Sequence, residues 1–207
     1  MARKINMAVL GSTNGTDLQA VIDAIKKGEL EEANLKIVIS NKEDAYILER
    51  AKQAGFPTLF IDSKNKSREE FDQELIEVFK KNQIDLVLLI GYMKYLSKEF
   101  VERYRSRIMN IHPSLLPAFA GGMDKNVHQE ILDHGSKVTG CTLHFVDEGA
   151  DTGPIILQQA VEIKENETID SLKEKVQKLE QQIILKAIKL FAQGKLKIEG
   201  RKVKILD

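Results

Sequence analysis

Among its 207 residues this chain has one cysteine, no tryptophan and four prolines, and each scarcity excludes something. Cys141 alone cannot close an internal disulfide, so the fold must rest on its own core, and a reducing, cytoplasmic setting is expected. With no neighbours that announce a nucleophile or a metal ligand, Cys141 reads as a buried structural thiol. No apolar run approaches the roughly 20 residues a membrane span requires, and the run in "MARKINMAVLGS" is too short for a signal segment. Net charge is missing as well. The 31 Lys and Arg balance 31 Asp and Glu, which leaves no excess of positive charge for releasing counterions, so a nucleic-acid partner is not expected. There is no internal repeat, heptad seam or low-complexity tract, which sets solenoids and long coiled coils aside.

What is present is alternation. "INMAVLGS" is an apolar run ending in a Gly-rich turn, and "DLQAVIDAIKKGEL" then spaces Leu18, Val21, Ile22 and Ile25 as on a helix, with Gly28 as its stop. "LKIVISN" and "TLFID" read as strands. Helices are expected over "DAYILERAKQAGF" and "SREEFDQELIEVFKKNQ". "IDLVLLIGY" is apolar almost throughout, as a central strand buried on both faces must be. A short helix over about 97–104 and the strand "SRIMNIH" complete five β units. The expected fold is α/β, with a doubly wound, mostly parallel, Rossmann-like sheet. Beyond Pro117 come a Gly-rich loop, a short helix near "VHQEILDHG", and the extended segments "KVTGCTLHFV" and "PIILQQAVEI". A long helix then starts at Thr168, with an apolar stripe of Ile169, Leu172, Val176, Leu179, Ile183 and Ala187. "KLKIEGRKVKILD" reads as a terminal hairpin turning at Gly200. The sheet should therefore be extended by mixed strands. We read residues 1–207 as a single domain of two halves, 1–105, which holds a candidate phosphate-binding turn, and 106–207.

Strand alternation puts Asn110 and His112 on one side of "IMNIH" and Ile111 on the other, so both polar groups leave the carboxyl end of a strand together. Pro113 and Pro117 hold the exit in one direction. Locally this admits two readings, a strand end capped by its own side chains or a site. The loop "DEGADTG" adds three carboxylates, Asp147, Glu148 and Asp151, which serve equally as a solvated turn or as the source of an acid approaching the imidazole. "GSTNGTDLQ" lacks the G-x-G-x-x-G spacing, so hydride transfer is not indicated. Its turn between strand and helix could nevertheless hold a phosphate on backbone N–H groups.

"NIHPSLLPAF", followed about 40 residues later by "DEGADTGPIILQ", resembles the signature of the folate-dependent formyltransferase family, and the likeness runs from residue 5 to about 200. The resemblance implies the formyltransferase fold, a catalytic trio of Asn110, His112 and Asp151, and 106–207 as the catalytic and folate-binding half. It implies 10-formyltetrahydrofolate as formyl donor and, among the acceptors the family uses, the amine of phosphoribosylglycinamide, with no metal. Gly15, Thr16 and Asp17 match the turn that holds the acceptor phosphate, and Glu180 matches an acid at its ribosyl or glycinamide end. Arg68, Met93, Lys94, Tyr95 and Leu96, together with Asn110, match folate-contacting positions. The family pattern has Asn where this chain has Asp17. An acid there is unfavourable beside a phosphate unless its carboxylate turns away as a helix cap. The loop "AFAGGMDKNVHQ" also departs from the family's "PGxHxH", keeping only His128, and its glycines would suit a lid over the site. His134 and His144 read as surface or sheet histidines without a role.

The chemistry such a trio must perform is definite. An amine attacks a formyl carbon, an oxyanion forms, and a proton passes from the amine to the folate nitrogen. Asn110 can donate to the oxyanion, a protonated His112 can donate more strongly, and Asp151 is expected to favour the imidazolium and to organise a relaying water. The rivals are relatives that hydrolyse 10-formyltetrahydrofolate or formylate a sugar nucleotide or tRNA, all expected to carry further domains, and a folate- or nucleotide-binding module without turnover. Monomer and homodimer remain open.

Overall fold

The computed structural model describes residues 4–121 and 126–206. Nine strands, β1 (Ile5–Leu10), β2 (Ala33–Ser40), β3 (Thr58–Phe60), β4 (Leu86–Leu89), β5 (Ile108–His112), β6 (Val138–Phe145), β7 (Ile155–Glu162), β8 (Leu196–Glu199) and β9 (Lys202–Ile205), make one sheet among the described residues. Its order is β3-β2-β1-β4-β5-β6-β7-β9-β8. Neighbours from β3 to β5 run parallel, whereas β6 lies antiparallel to both β5 and β7, and the β8–β9 hairpin joins through a parallel contact of β9 with β7. The expected α/β fold, with its mixed extension, is the one observed. No helix among the described residues is long and apolar enough to cross a membrane.

Among the described residues six helices cover the two faces: α1 (Thr16–Lys26), α2 (Tyr46–Gln53), α3 (Arg68–Lys81), α4 (Lys98–Arg103), α5 (Val127–Asp133) and α6 (Ile169–Ala192). Strand alternation divides the core. Met7 and Val9 of β1 face one way, onto Leu18, Val21 and Ile22 of α1 and Leu172, Val176 and Ile183 of α6. Ala8 and Leu10 face the other way, onto Phe71, Leu75 and Phe79 of α3 and Phe100 of α4. Because both faces are buried, the central strands must be apolar at every position, which is why "LVLL" shows no polar alternation.

The sheet changes winding direction between β1 and β4, and at such a point the loops diverge to leave a crevice at the carboxyl ends of the strands. Ser12 ties this crevice together. Its N–H donates to the Gly91 carbonyl at 2.9 Å, and its hydroxyl donates to Asn41 Oδ1 at 2.6 Å while accepting from the Met93 N–H at 2.9 Å.

The helix starts fall into two kinds. Ser67, Ser97 and Thr168 each accept a hydrogen bond from the first turn of α3, α4 and α6, satisfying N–H groups that a helix leaves unpaired. α1 has no such side-chain cap. Its N-cap is Gly15, at φ 63°, and a Cβ there would lie 2.3 Å from Ile47 Cγ1. Only glycine meets both demands, and the first-turn N–H groups stay available to a ligand.

Candidate active site

A cavity of about 550 Å³ occupies the crevice, and every site residue named from the sequence lines it: Asn110, His112 and Asp151, then Gly15, Thr16, Asp17 and Glu180, and also Arg68, Met93, Lys94, Tyr95 and Leu96. Both halves of the chain contribute to its wall.

Asn110 and His112 leave β5 on the same face, as alternation requires, while Met109 and Ile111 enter the core behind them. Asp151 reaches them from the loop between β6 and β7. That loop is closed by Gly153, where a Cβ would stand 1.8 Å from the Phe145 carbonyl oxygen. Asp151 itself holds a left-handed backbone, φ 54°, a conformation Asp tolerates better than most residues. Its carboxylate is a hub. Oδ1 accepts from Asn110 Nδ2 at 3.2 Å and lies 3.5 Å from His144 Nε2; Oδ2 accepts from the Gly121 N–H at 3.0 Å and lies 3.4 Å from His112 Nδ1. The other two carboxylates of the loop have different work. Asp147 accepts from the Gly149 N–H and the Thr152 hydroxyl, bracing the turn, and Glu148 pairs with Arg105 at its surface.

Burial pushes the Asp151 carboxyl up. The hydrogen bonds from His144 and Gly121 and the charges of His112 and His144 outweigh it, and the group is held down at about 2. Asp151 is an anion at any working pH. His112 departs from the expectation of an imidazolium. Desolvation lowers its pKa more than the Asp151 charge and the Phe119 hydrogen bond raise it, so the ring is neutral at pH 7 in the free protein. Its Nε2 is 3.0 Å from the Phe119 carbonyl, which can only accept, so Nε2 carries the proton and Nδ1 presents a lone pair on the Asp151 side.

His144 is the residue the sequence missed. Expected to have no role, it lies on β6 directly opposite Asn110, with Nε2 3.2 Å from Asn110 Nδ2. Its Nδ1 faces the Phe145 carbonyl at 2.9 Å, which fixes the ring. Opposed residues of antiparallel strands share a face, so knowledge of the β5–β6 register would have found it. His134 lies edge-on to Phe119 outside the cavity.

At the other end of the cavity Glu180 is 6 % exposed, because it falls on the buried stripe of α6 between Val176 and Ile183, whereas Leu179 is only half-buried. Asp17 does not turn away as a cap. It is 8 % exposed, and its Oδ1 is buried without a hydrogen-bond partner. Burial pushes Asp17 up to about 7; burial and the Asp17 charge push Glu180 well up, with Lys173 opposing. Cys141, behind them, is raised to about 12 by burial and by the charges of Glu180 and Asp17, which leaves it an inert core thiol. His128 is buried in the same wall with Nδ1 unpartnered. Toward the opposite mouth, Met93 and Tyr95 expose large apolar surface, and the Arg68 guanidinium sits 5.9 Å over the Tyr95 ring. Of the Gly-rich loop expected to form a lid, Gly121 donates to Asp151, whereas Gly122, Met123 and Asp124 lie outside the described residues.

The formyl transferase family profile matches residues 5–188. A phosphoribosylglycinamide formyltransferase of Escherichia coli (strain K12) is 42% identical over 195 residues, covering 94% of this chain and 90% of that protein. The trifunctional purine biosynthetic protein adenosine-3 of Bos taurus is 43% identical over 197 residues, 95% of this chain but 19% of that protein, so the chain spans about a fifth of this relative's length. Glycinamide ribonucleotide transformylase 1 from Symbiobacterium toebii superposes with a TM-score of 0.94 at 44% identity, covering 100% of this chain and 96% of the other.

Proposed function

The chain belongs to the formyl transferase family, and from that premise we propose that it moves a formyl group from 10-formyltetrahydrofolate to the amine of phosphoribosylglycinamide, a step of purine nucleotide synthesis. We read the described residues as one catalytic domain. The observation that carries the reading is the convergence of Asn110, His112 and Asp151 at one end of a cavity whose other end is the uncapped start of α1.

In this reading the acceptor phosphate rests on the N–H groups at Gly15 and Thr16, where the helix dipole favours an anion. Its glycinamide end extends past Glu180 toward His112. The donor's flat ring system covers Met93 and Tyr95, along Lys94 and Leu96, and Arg68 offers its anionic tail a cation. As the amine nitrogen bonds to the formyl carbon, the carbonyl pair moves onto oxygen. Asn110 meets this oxyanion with an amide N–H, a donor worth about 3 kcal/mol when preorganised. In the resting site that amide nitrogen faces both Asp151 and His144, so one of its two hydrogens must turn from them to the oxyanion. The neutral His112 Nδ1 takes the proton the amine loses, directly or through a water held by Asp151. The ionised Asp151, 3.4 Å away, stabilises the imidazolium so formed. The same proton then goes to the folate nitrogen as its bond to carbon breaks, and tetrahydrofolate leaves.

The test is to incubate the protein with both substrates and follow products by mass. Formylated glycinamide supports the reading. Formate without it favours hydrolysis, and tight folate binding without turnover favours a binding module.

A further inference from the structure

Asp17 and Glu180 form a second acid pair that the chemistry above does not use. Both are more than nine-tenths buried, both line the cavity, and Asp17 Oδ1 has no donor to receive. A buried carboxylate without a donor is costly, and the charge of Asp17 makes ionising Glu180 costlier still. The groups around them offer limited relief. Lys173 acts on Glu180 from α6, His128 on α5 is itself held toward its neutral form by burial and by Lys173, and Cys141 on β6 is a neutral thiol. A phosphate seated on the first turn of α1 would add negative charge beside the pair.

We propose that Asp17, buried in the cavity wall with an oxygen that no donor meets, rests in its acid form and admits a phosphorylated acceptor by donating its O–H to a phosphate oxygen. This rests on the acceptor site proposed above and goes beyond it, because it makes acceptor binding proton-coupled. Below about pH 7 Asp17 already carries its proton and binding takes up none for it. Above that pH the proton must be taken up with the ligand, and affinity falls by up to about tenfold per pH unit. The ligand's own phosphate and amine also titrate, but identically in every variant.

Calorimetric titration of phosphoribosylglycinamide from pH 6 to 9, in two buffers of different ionisation enthalpy, tests this on the wild type, Asp17→Asn and Glu180→Gln. The expected result is an alkaline loss of affinity with up to one additional proton taken up by the wild type relative to Asp17→Asn. In Glu180→Gln the alkaline loss persists, since burial of Asp17 itself, and not the charge of the neighbouring acid, holds its proton. Parallel profiles for wild type and Asp17→Asn overturn the inference. So does a carbon-13 titration of the free wild type that finds Asp17 fully ionised at pH 6, a readout independent of how well a variant folds. If phosphoribosylglycinamide binds at no pH, the acceptor assignment fails. Inorganic phosphate, titrated into the same three proteins, then decides the inference: a steeper alkaline loss in the wild type than in Asp17→Asn supports it, and parallel profiles overturn it.

Discussion

Asp151 and Asp17 are both carboxyl groups in the wall of one cavity, yet one is held at about 2 and the other pushed up to about 7. Burial opposes ionisation at both. The difference lies in what faces the oxygens. Asp151 receives Asn110 and the Gly121 N–H and lies between two imidazoles, whereas an Asp17 oxygen receives nothing and a second acid stands near it. Donors, rather than depth, decide which acid is an anion. In the proposed reaction the anion sits where a proton would be stabilised on His112, and the neutral acid where an anionic phosphate would rest.

The largest effect should come from breaking the anionic end. Replacing His112 by Ala is expected to lower kcat by at least about 100-fold, on the scale of losing one transition-state donor or proton acceptor, with the acceptor KM little changed. Steady-state kinetics would check this, and near-normal turnover would remove His112 from the chemistry. The pH profile sharpens the same contrast. Because His112 must be neutral to accept a proton, and burial lowers its pKa, kcat/KM should fall only as pH drops below about 6.5. The alkaline fall belongs to Asp17, so Asp17→Asn should leave the acid limb and flatten the alkaline one.

Stability offers the next largest test. Asp17 is raised above its unfolded-state value, so the folded chain binds an extra proton between pH 3.8 and about 7. The stability it contributes is complete below that window and lost as pH rises through it. At pH 8 Asp17→Asn should therefore stabilise the protein, by roughly 2 kcal/mol once relaxation and water penetration around the buried carboxylate are allowed for. In a 207-residue chain this is a rise in Tm of roughly 4–8 °C. At pH 4 the two melting curves should nearly coincide. A variant less stable than wild type at pH 8 would mean that Asp17 has a donor after all.

His144 tests how much of the anionic end depends on its neighbours. His144→Leu removes one polar group from the Asp151 hub while filling the buried site, and should lower kcat about tenfold, the scale of roughly 1.5 kcal/mol for a hydrogen bond to a charged group. Titration of Asp151 by carbon-13 spectroscopy should move upward at the same time. An unchanged Asp151 would assign His144 to packing alone.

The layered fold was legible because its signals are local. Apolar runs such as "LVLL", the spacing of Phe71, Leu75 and Phe79, and the Ser67 and Ser97 starts each act within a few residues. Asn110 and His112 could be paired by strand alternation alone. Bringing Asp151 to them took the resemblance, since no local rule selects it over Asp147 and Glu148. His144 stayed hidden because its place depends on which residue of β6 opposes Asn110, a long-range register that sequence spacing does not carry. Glu180 likewise took the resemblance to place. It lies four residues after Val176 and three before Ile183, on the buried face by geometry, but its charge alone argues for solvent.

The smallest effect is a control on the acid pair. The Ser97 hydroxyl accepts from the Phe100 N–H at 3.2 Å, starting α4 just after the segment Met93–Leu96. Ser97→Ala leaves that N–H without its cap and should cost about 1 kcal/mol. A neutral hydroxyl changes no protonation between pH 4 and 8, so the loss in Tm, roughly 2–4 °C, should be the same at both ends of the range. Asp17→Asn and Ser97→Ala then differ in sign at pH 8 and in their dependence on pH. If Ser97→Ala also became pH-dependent, the linkage would run through Asp72, whose carboxylate accepts the Ser97 N–H and is itself raised by burial. The contrast between the two ends of the cavity would then need that third acid.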